Sequence, residues 1–149
     1  MSNDEKNNLK LICRNQEDIK VISAYSQDSI VAVRDITFLE KNRIFIMIIN
    51  RFMWERIERK INTQSQRIRC ALKFEGILKV QSKKINQKNK NKSLECLAIK
   101  CNQFIDKNNE IDFLFSGGSA ITLISESIEA VMHDIGKPWN VKYTPNHKI

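Results

Sequence analysis

The stretch Asn50-Arg51-Phe52-Met53-Trp54-Glu55 holds the densest set of chemically capable groups in this 149-residue chain. An amide, a guanidinium, an indole and a carboxylate follow directly on the apolar run Ile44 to Ile49. Polar groups this close to a core need partners. Strand alternation places Asn50, Phe52 and Trp54 on one face and Arg51, Met53 and Glu55 on the other, where Arg51 can meet Glu55 or an outside anion. Arginine and tryptophan are also enriched at binding hot spots. Asn50, Arg51, Trp54 and Glu55 are therefore the candidate binding surface. The competing reading is a strand end tied down by its own hydrogen bonds.

Other candidates for chemistry are thinner. His133 and His147 are the two imidazoles, and neither stands at metal-ligand spacing from another His or a Cys. No HExxH helix or GxSxG elbow is present, and Ser, Cys and His follow no nucleophile-and-base order. Ser116-Gly117-Gly118-Ser119 could cradle a phosphate only if it opened a helix beside a lysine, whereas it separates two strand-like runs and reads as a hairpin turn. Cys13, Cys70, Cys96 and Cys101 form no CxxC pair and fall inside strand-like stretches, so buried free thiols in a reducing compartment are expected. No metal and no cofactor is expected, and an enzyme with its site near Asn50 to Glu55 is the weaker reading.

The formal charge of +8 invites a nucleic-acid reading, but it is local. Lys83, Lys84, Lys88, Lys90 and Lys92 contribute +5 in one acid-free segment, Lys137, Lys142 and Lys148 add +3, and the rest is neutral. The 17 Lys, 15 Asn and 22 Ile are all spelled by A/T-rich codons, so composition alone can supply the lysines. Weak nucleic-acid binding through the Lys83 to Lys92 loop is an alternative function, without a recognition motif behind it.

These residues need elements to position them. Leu9 to Cys13 reads as a first strand, and Asn15 as the N-cap of a helix over Glu17 to Gln27, with Asp18 able to answer the cap. Ile30 to Leu39 and Ile44 to Trp54 form a hairpin about the turn 40–43. The second arm is apolar on both faces as far as Ile49, which predicts a central strand covered on both sides. Residues 55–67 form a short helix or a loose connection. Ile68 to Phe74 alternates cleanly, and Gly76 then interrupts the run before Ile77 to Gln81, a bulge signal that predicts a curved sheet. Leu94 to Cys101, Ile111 to Phe115 and Ala120 to Ile124 then give three consecutive antiparallel strands. Ile128, Val131, Met132 and Ile135 recur at helical spacing, with Ser125 or Ser127 as cap, Gly136 as stop and His133 suited to the helix C-terminus.

The expected fold is thus α+β: a curved or barrel-like, mainly antiparallel sheet of about seven strands, with one helix near each end. Residues 1–149 make a single domain with tails at 1–8 and 140–149. The longest apolar run has six residues, far short of the roughly 20 a membrane helix needs. The polar, acidic N-terminus is unlike a signal peptide, which points to a soluble cytoplasmic chain.

Gln27-Asp28, Asn50-Arg51-Phe52-x-Trp54-Glu55, the strand Arg69 to Val80, Leu97-Ala98-Ile99, and Gly117-Gly118-x-Ala120-Ile121 through Asp134-Ile135-Gly136-x-Pro138-Trp139 carry a resemblance. Over nearly its whole length the chain resembles the bacterial domain-of-unknown-function family numbered 2948. The resemblance implies a shared fold and a cytoplasmic life, and brings no activity with it. The family pattern is arginine-rich after the Trp-Glu, whereas here Arg56, Arg59, Lys60 and Arg67 are diluted by Glu58 and polar residues. The leading expectation is a non-enzymatic binding or regulatory module with a protein partner.

Overall fold

The computed structural model describes residues 8–58, 65–104 and 106–142. Ten strands and two α-helices follow one another there. The strands are β1 (Lys10–Cys13), β2 (Ile30–Ala32), β3 (Ile36–Leu39), β4 (Ile44–Phe52), β5 (Gln66–Phe74), β6 (Ile77–Lys83), β7 (Ser93–Asn102), β8 (Asn109–Phe115), β9 (Ala120–Ser125) and β10 (Ala130–Asn140). The helices are α1 (Gln16–Ser26) and α2 (Trp54–Glu58). All strand pairs are antiparallel, in the order β1-β10-β5-β4-β2-β7-β8-β9-β6, with β3 pairing β4 beside that path. The sheet is not closed, since β1 and β6 stand at its two ends, and it curves enough for Phe45 of β4 to meet Phe113 of β8 at 5.7 Å between ring centroids.

Three departures from the expected seven strands raise the number to ten. The first hairpin arm is broken by a 3-10 turn at Val33–Asp35 into β2, which pairs β7, and β3, which pairs β4. Gly76, at φ +70°, is a corner rather than a bulge, and it carries the chain from β5 beside β4 to β6 beside β9. The third departure corrects the sequence reading outright: the C-terminal helix is absent, and Ala130–Asn140 is a strand held between β1 and β5. Ala130, Met132 and Asp134 alternate inward, while His133 and Ile135 are exposed. His133 accordingly lies mid-strand opposite Lys10 and Ala71, not at a helix terminus.

The helix near the N-terminus is where its residues place it. Asn15 Oδ1 accepts from Asp18 N at 2.8 Å, and the Asp18 carboxylate accepts from Arg14 N at 2.9 Å. Ile19 and Ile22 then enter the core beside Cys13. The two halves of the curved sheet meet through Phe45, Phe74 and Phe113, whose ring centroids lie 5.4–6.5 Å apart, in the range of favourable aromatic pairing. Asn8 Nδ2 donates to Gly136 O and Val141 N donates to Ser65 O, so the chain is bonded at both margins. The rest of the expected tails, with His147, lies outside the described residues, as do residues 59–64 of the connection after α2. Among the described residues no helix is long and apolar enough to cross a membrane.

Candidate functional site

β4 delivers Arg51 into the core by alternation: Phe45, Met47, Ile49 and Arg51 all point inward and are buried. The strand then stops. Phe52 and Met53 are buried as well, and the chain turns into α2, so the expected alternation of Phe52 with Trp54 does not continue. That turn brings Glu55 back over Arg51. Glu55 Oε1 and Oε2 accept from Arg51 Nη1 at 3.0 Å and Nη2 at 2.8 Å.

The opposite side of the guanidinium is met by Asp134 on β10. Arg51 Nε donates to Asp134 Oδ1 at 2.8 Å and Nη2 donates to Oδ2 at 2.7 Å, with both side chains sealed from water. Oδ2 also accepts from Leu9 N at 3.0 Å, and the Tyr25 ring of α1 lies 5.6 Å from the guanidinium carbon. Burial alone lowers the pKa of Arg51, but the hydrogen bonds it donates to Asp134 and Glu55 outweigh burial and drive the pKa above its ordinary value. The Cys70 thiol nearby is pushed up by burial and then by the Asp134 charge. Arg51 therefore carries a permanent charge held by two carboxylates.

Around this ion set lies a second ring of bonds. Trp54 Nε1 donates to Gln27 O at 3.1 Å, and its ring packs edge-on against Phe52 at 4.5 Å between centroids. Arg67 Nη1 donates to Asp28 O at 2.9 Å and to Asn50 O at 3.0 Å, while its guanidinium carbon stands 5.6 Å from the Phe52 ring. Burial lowers the Arg67 pKa. Asn50 itself points outward, opposite Arg69, whose Nη1 donates to Asn50 Oδ1 at 3.5 Å. Of the candidate surface, Asn50, Trp54 and Glu55 keep partial access to solvent, whereas Arg51 is buried.

Asp134 is the residue that sequence reasoning missed. It stands 83 positions from Arg51, in a stretch whose apolar spacing predicts a helix. The signal for it was there: taken as a strand, 130–134 puts a carboxylate in register with Ala130 and Met132 on the apolar face. The motifs that carry the family resemblance, Gln27-Asp28, Asn50 to Glu55 and Asp134, meet at this one place.

The remaining candidates separate from it. Lys83, Lys84, Lys88, Lys90 and Lys92 are all exposed. Ser116–Gly118 is a 3-10 turn joining β8 to β9, closed by Phe115 N donating to Ser119 O at 2.9 Å. All four cysteines are buried free thiols, and burial pushes Cys13 up to about 11 and Cys96 up to about 12. Among the described residues no group of three or more His, Cys, Asp and Glu is placed to hold a metal.

No curated protein and no solved structure matches the chain. A family model does match, described as a protein of unknown function (DUF2948) and covering residues 9–147, and the chain belongs to that family.

Proposed function

We propose that the protein is a non-enzymatic binding module whose partner is another protein, docked on the outer face of the sheet beside Asn50. The observation that supports this is on β4. Ile44, Ile46 and Ile48 point away from the core and are only half-buried, although the apolar run predicts cover on both sides. α1 does not supply that cover, because its Ile19 and Ile22 are spent on the core. Across the register, Ile46 shares a row with Lys73, Val131 and Ile12, and Ile48 shares one with Ala71, His133 and Lys10. Ile12 is 56% exposed and Ile135 is 45% exposed. Apolar side chains grouped on one accessible face mark a protein interaction site, and the aliphatic stems of Lys10 and Lys73 add to that face. Asn50 and Arg69 extend the face toward Trp54.

Catalysis near Asn50 to Glu55 has less to stand on. The Arg51 donors facing Asp134 and Glu55 are occupied, and a buried guanidinium with so high a pKa neither gives nor takes a proton. The nucleic-acid alternative rests on the exposed lysines of the 83–92 loop alone.

The test is affinity capture from native lysate with the wild type, Ile46→Lys, Ile48→Lys and, as a control elsewhere on the surface, Leu97→Lys. The wild type and Leu97→Lys are expected to retain a common partner that the two outer-face variants lose. Urea midpoints confirm folding: Ile46 and Ile48 are half-buried, so each Lys substitution is expected to cost about 1 kcal/mol, and exposed Leu97→Lys about 0.5 kcal/mol or less. The same partners on all four proteins, or none on the wild type, would remove the reading.

A further inference from the structure

We infer that the seam between β3 and β6 is a binding site for a small amphipathic acid: a carboxylate head on an aliphatic tail of about six to ten carbons. A cavity of about 250 Å³ opens there. For scale, a dry apolar cavity of roughly 150 Å³ accepts a benzene ring, so this one has room for a longer tail. Phe45 and Ile121 form its buried floor, and Ile36 and Phe38 of β3 face Val80 of β6 across it. Ser82, Gln87 and Lys90 bring the polar atoms, and no acidic residue lines the space.

The cavity exists because the sheet stops short of closing. Among the described residues β3 pairs only with β4 and β6 only with β9, so two strand edges border the opening without a ladder between them. At one end the edges are pinned by Ile77 N donating to Arg43 O at 2.9 Å. At the other end the lysine-rich loop is fastened to the 3-10 turn after β2. Val33 N donates to Lys92 O at 2.9 Å, Arg34 N to Lys90 O at 3.1 Å, and Arg34 Nη1 to Asn91 Oδ1 at 3.0 Å. Gln87 Nε2 donates to Ser82 Oγ at 3.1 Å, which braces the loop against β6. The lysine-rich segment is thus a built wall, and it supplies the cavity with Ile85, Gln87 and Lys90.

Ligand chemistry follows from the lining. The floor and walls reject a fully polar molecule and reward aliphatic carbon, while Lys90, from the acid-free segment 83–92, brings a positive charge to the lining. An anionic head at Lys90, with hydrogen-bond donors from Ser82 and Gln87 close by, completes the fit. Because the walls are already bonded in place, binding needs little reorganisation.

Calorimetric titration of the full chain with hexanoate, octanoate, decanoate and tetradecanoate, with octanol and octylamine as head-group controls, tests this. Affinity is expected to rise about fourfold per methylene, the fold-change corresponding to burial of one CH₂ group, and to level off near ten carbons. Octanoate is expected to bind at least tenfold tighter than octanol, and octylamine weakest. Lys90→Met is expected to erase the preference for acid over alcohol, Lys88→Met to preserve it, and Val80→Trp to fill the cavity and abolish binding of all ligands. Three results overturn the inference: no binding of decanoate, an acid preference that survives in Lys90→Met, or unchanged affinity in Val80→Trp.

Discussion

Replacing Asp134 by Asn leaves the Arg51 guanidinium with half of its counter-charge and no route to water. The substitution conserves shape, so packing stays nearly constant and the change is electrostatic. Two of the four Arg51 hydrogen bonds, at 2.7 and 2.8 Å, end on this carboxylate, and so does the bond from Leu9 N. An amide oxygen can keep one of the Arg51 bonds, but the amide nitrogen then faces another donor. Removing one partner of a buried ion pair costs about 3–5 kcal/mol. With a urea slope of roughly 2 kcal/mol/M for a domain of this size, the unfolding midpoint should fall by about 1.5–2.5 M. Against a total stability of ~5–15 kcal/mol that is a large fraction. Glu55→Gln should cost less, about 1–2 kcal/mol, because the Glu55 side chain is 22% exposed and water can take its place. The double variant Arg51→Met/Asp134→Leu should recover most of the loss, since an apolar pair needs no counter-charge. Urea titration followed by tryptophan fluorescence and far-UV circular dichroism reads all four proteins. A midpoint shift below about 0.5 M for Asp134→Asn, or a double variant no more stable than the single one, would refute the claim that this charge is locked by its partners.

Cys13 makes a pH prediction. Its thiol rises from an ordinary 9.0 to about 11 through burial, so the unfolded chain ionises first. The stability linked to this thiol is complete below pH 9 and is lost as pH rises toward 11, by about 3 kcal/mol in all. Denaturation midpoints at pH 8 and 10.5 should therefore converge between wild type and Cys13→Ala, and parallel curves would contradict this. At the β5–β6 corner, Gly76→Ala should destabilise by about 2 kcal/mol or more, because an added Cβ meets Ser127 Oγ at 3.1 Å on top of the positive φ. Gly117→Ala, also at positive φ but with nothing within 4 Å, should cost only about 1 kcal/mol in thermal or urea unfolding. Equal losses at the two positions would show that the corner is not crowded.

Local signals were sufficient wherever one period dominated. Asn15 followed by Ile19 and Ile22 makes a capped amphipathic helix whatever lies beside it, and the structure has it at Gln16–Ser26. Ile68, Cys70, Leu72 and Phe74 alternate strictly, and all four are buried on one face of β5. Two glycines between apolar runs need the positive φ values that a tight hairpin supplies, and Gly117 and Gly118 adopt 78° and 81°. Arg51 was legible as a group in need of a partner, and Glu55 as one that could reach it.

Tertiary structure decided what short patterns leave open. Ile128, Val131, Met132 and Ile135 satisfy a helical period, yet Ala130, Met132 and Asp134 satisfy a strand period over the same residues. The strand wins because β1 and β5 offer it two ladders and because Asp134 then reaches the one buried guanidinium among the described residues. A helix there would leave Arg51 charged in the core with Glu55 alone. The apolar outer face of β4 and the seam under the lysines belong to the same category. Sequence by itself determined which residues prefer strands, turns and burial, because those preferences act between near neighbours. Which strand lies beside which, and so which groups meet across 83 positions of chain, was decided only when the sheet curved around its core.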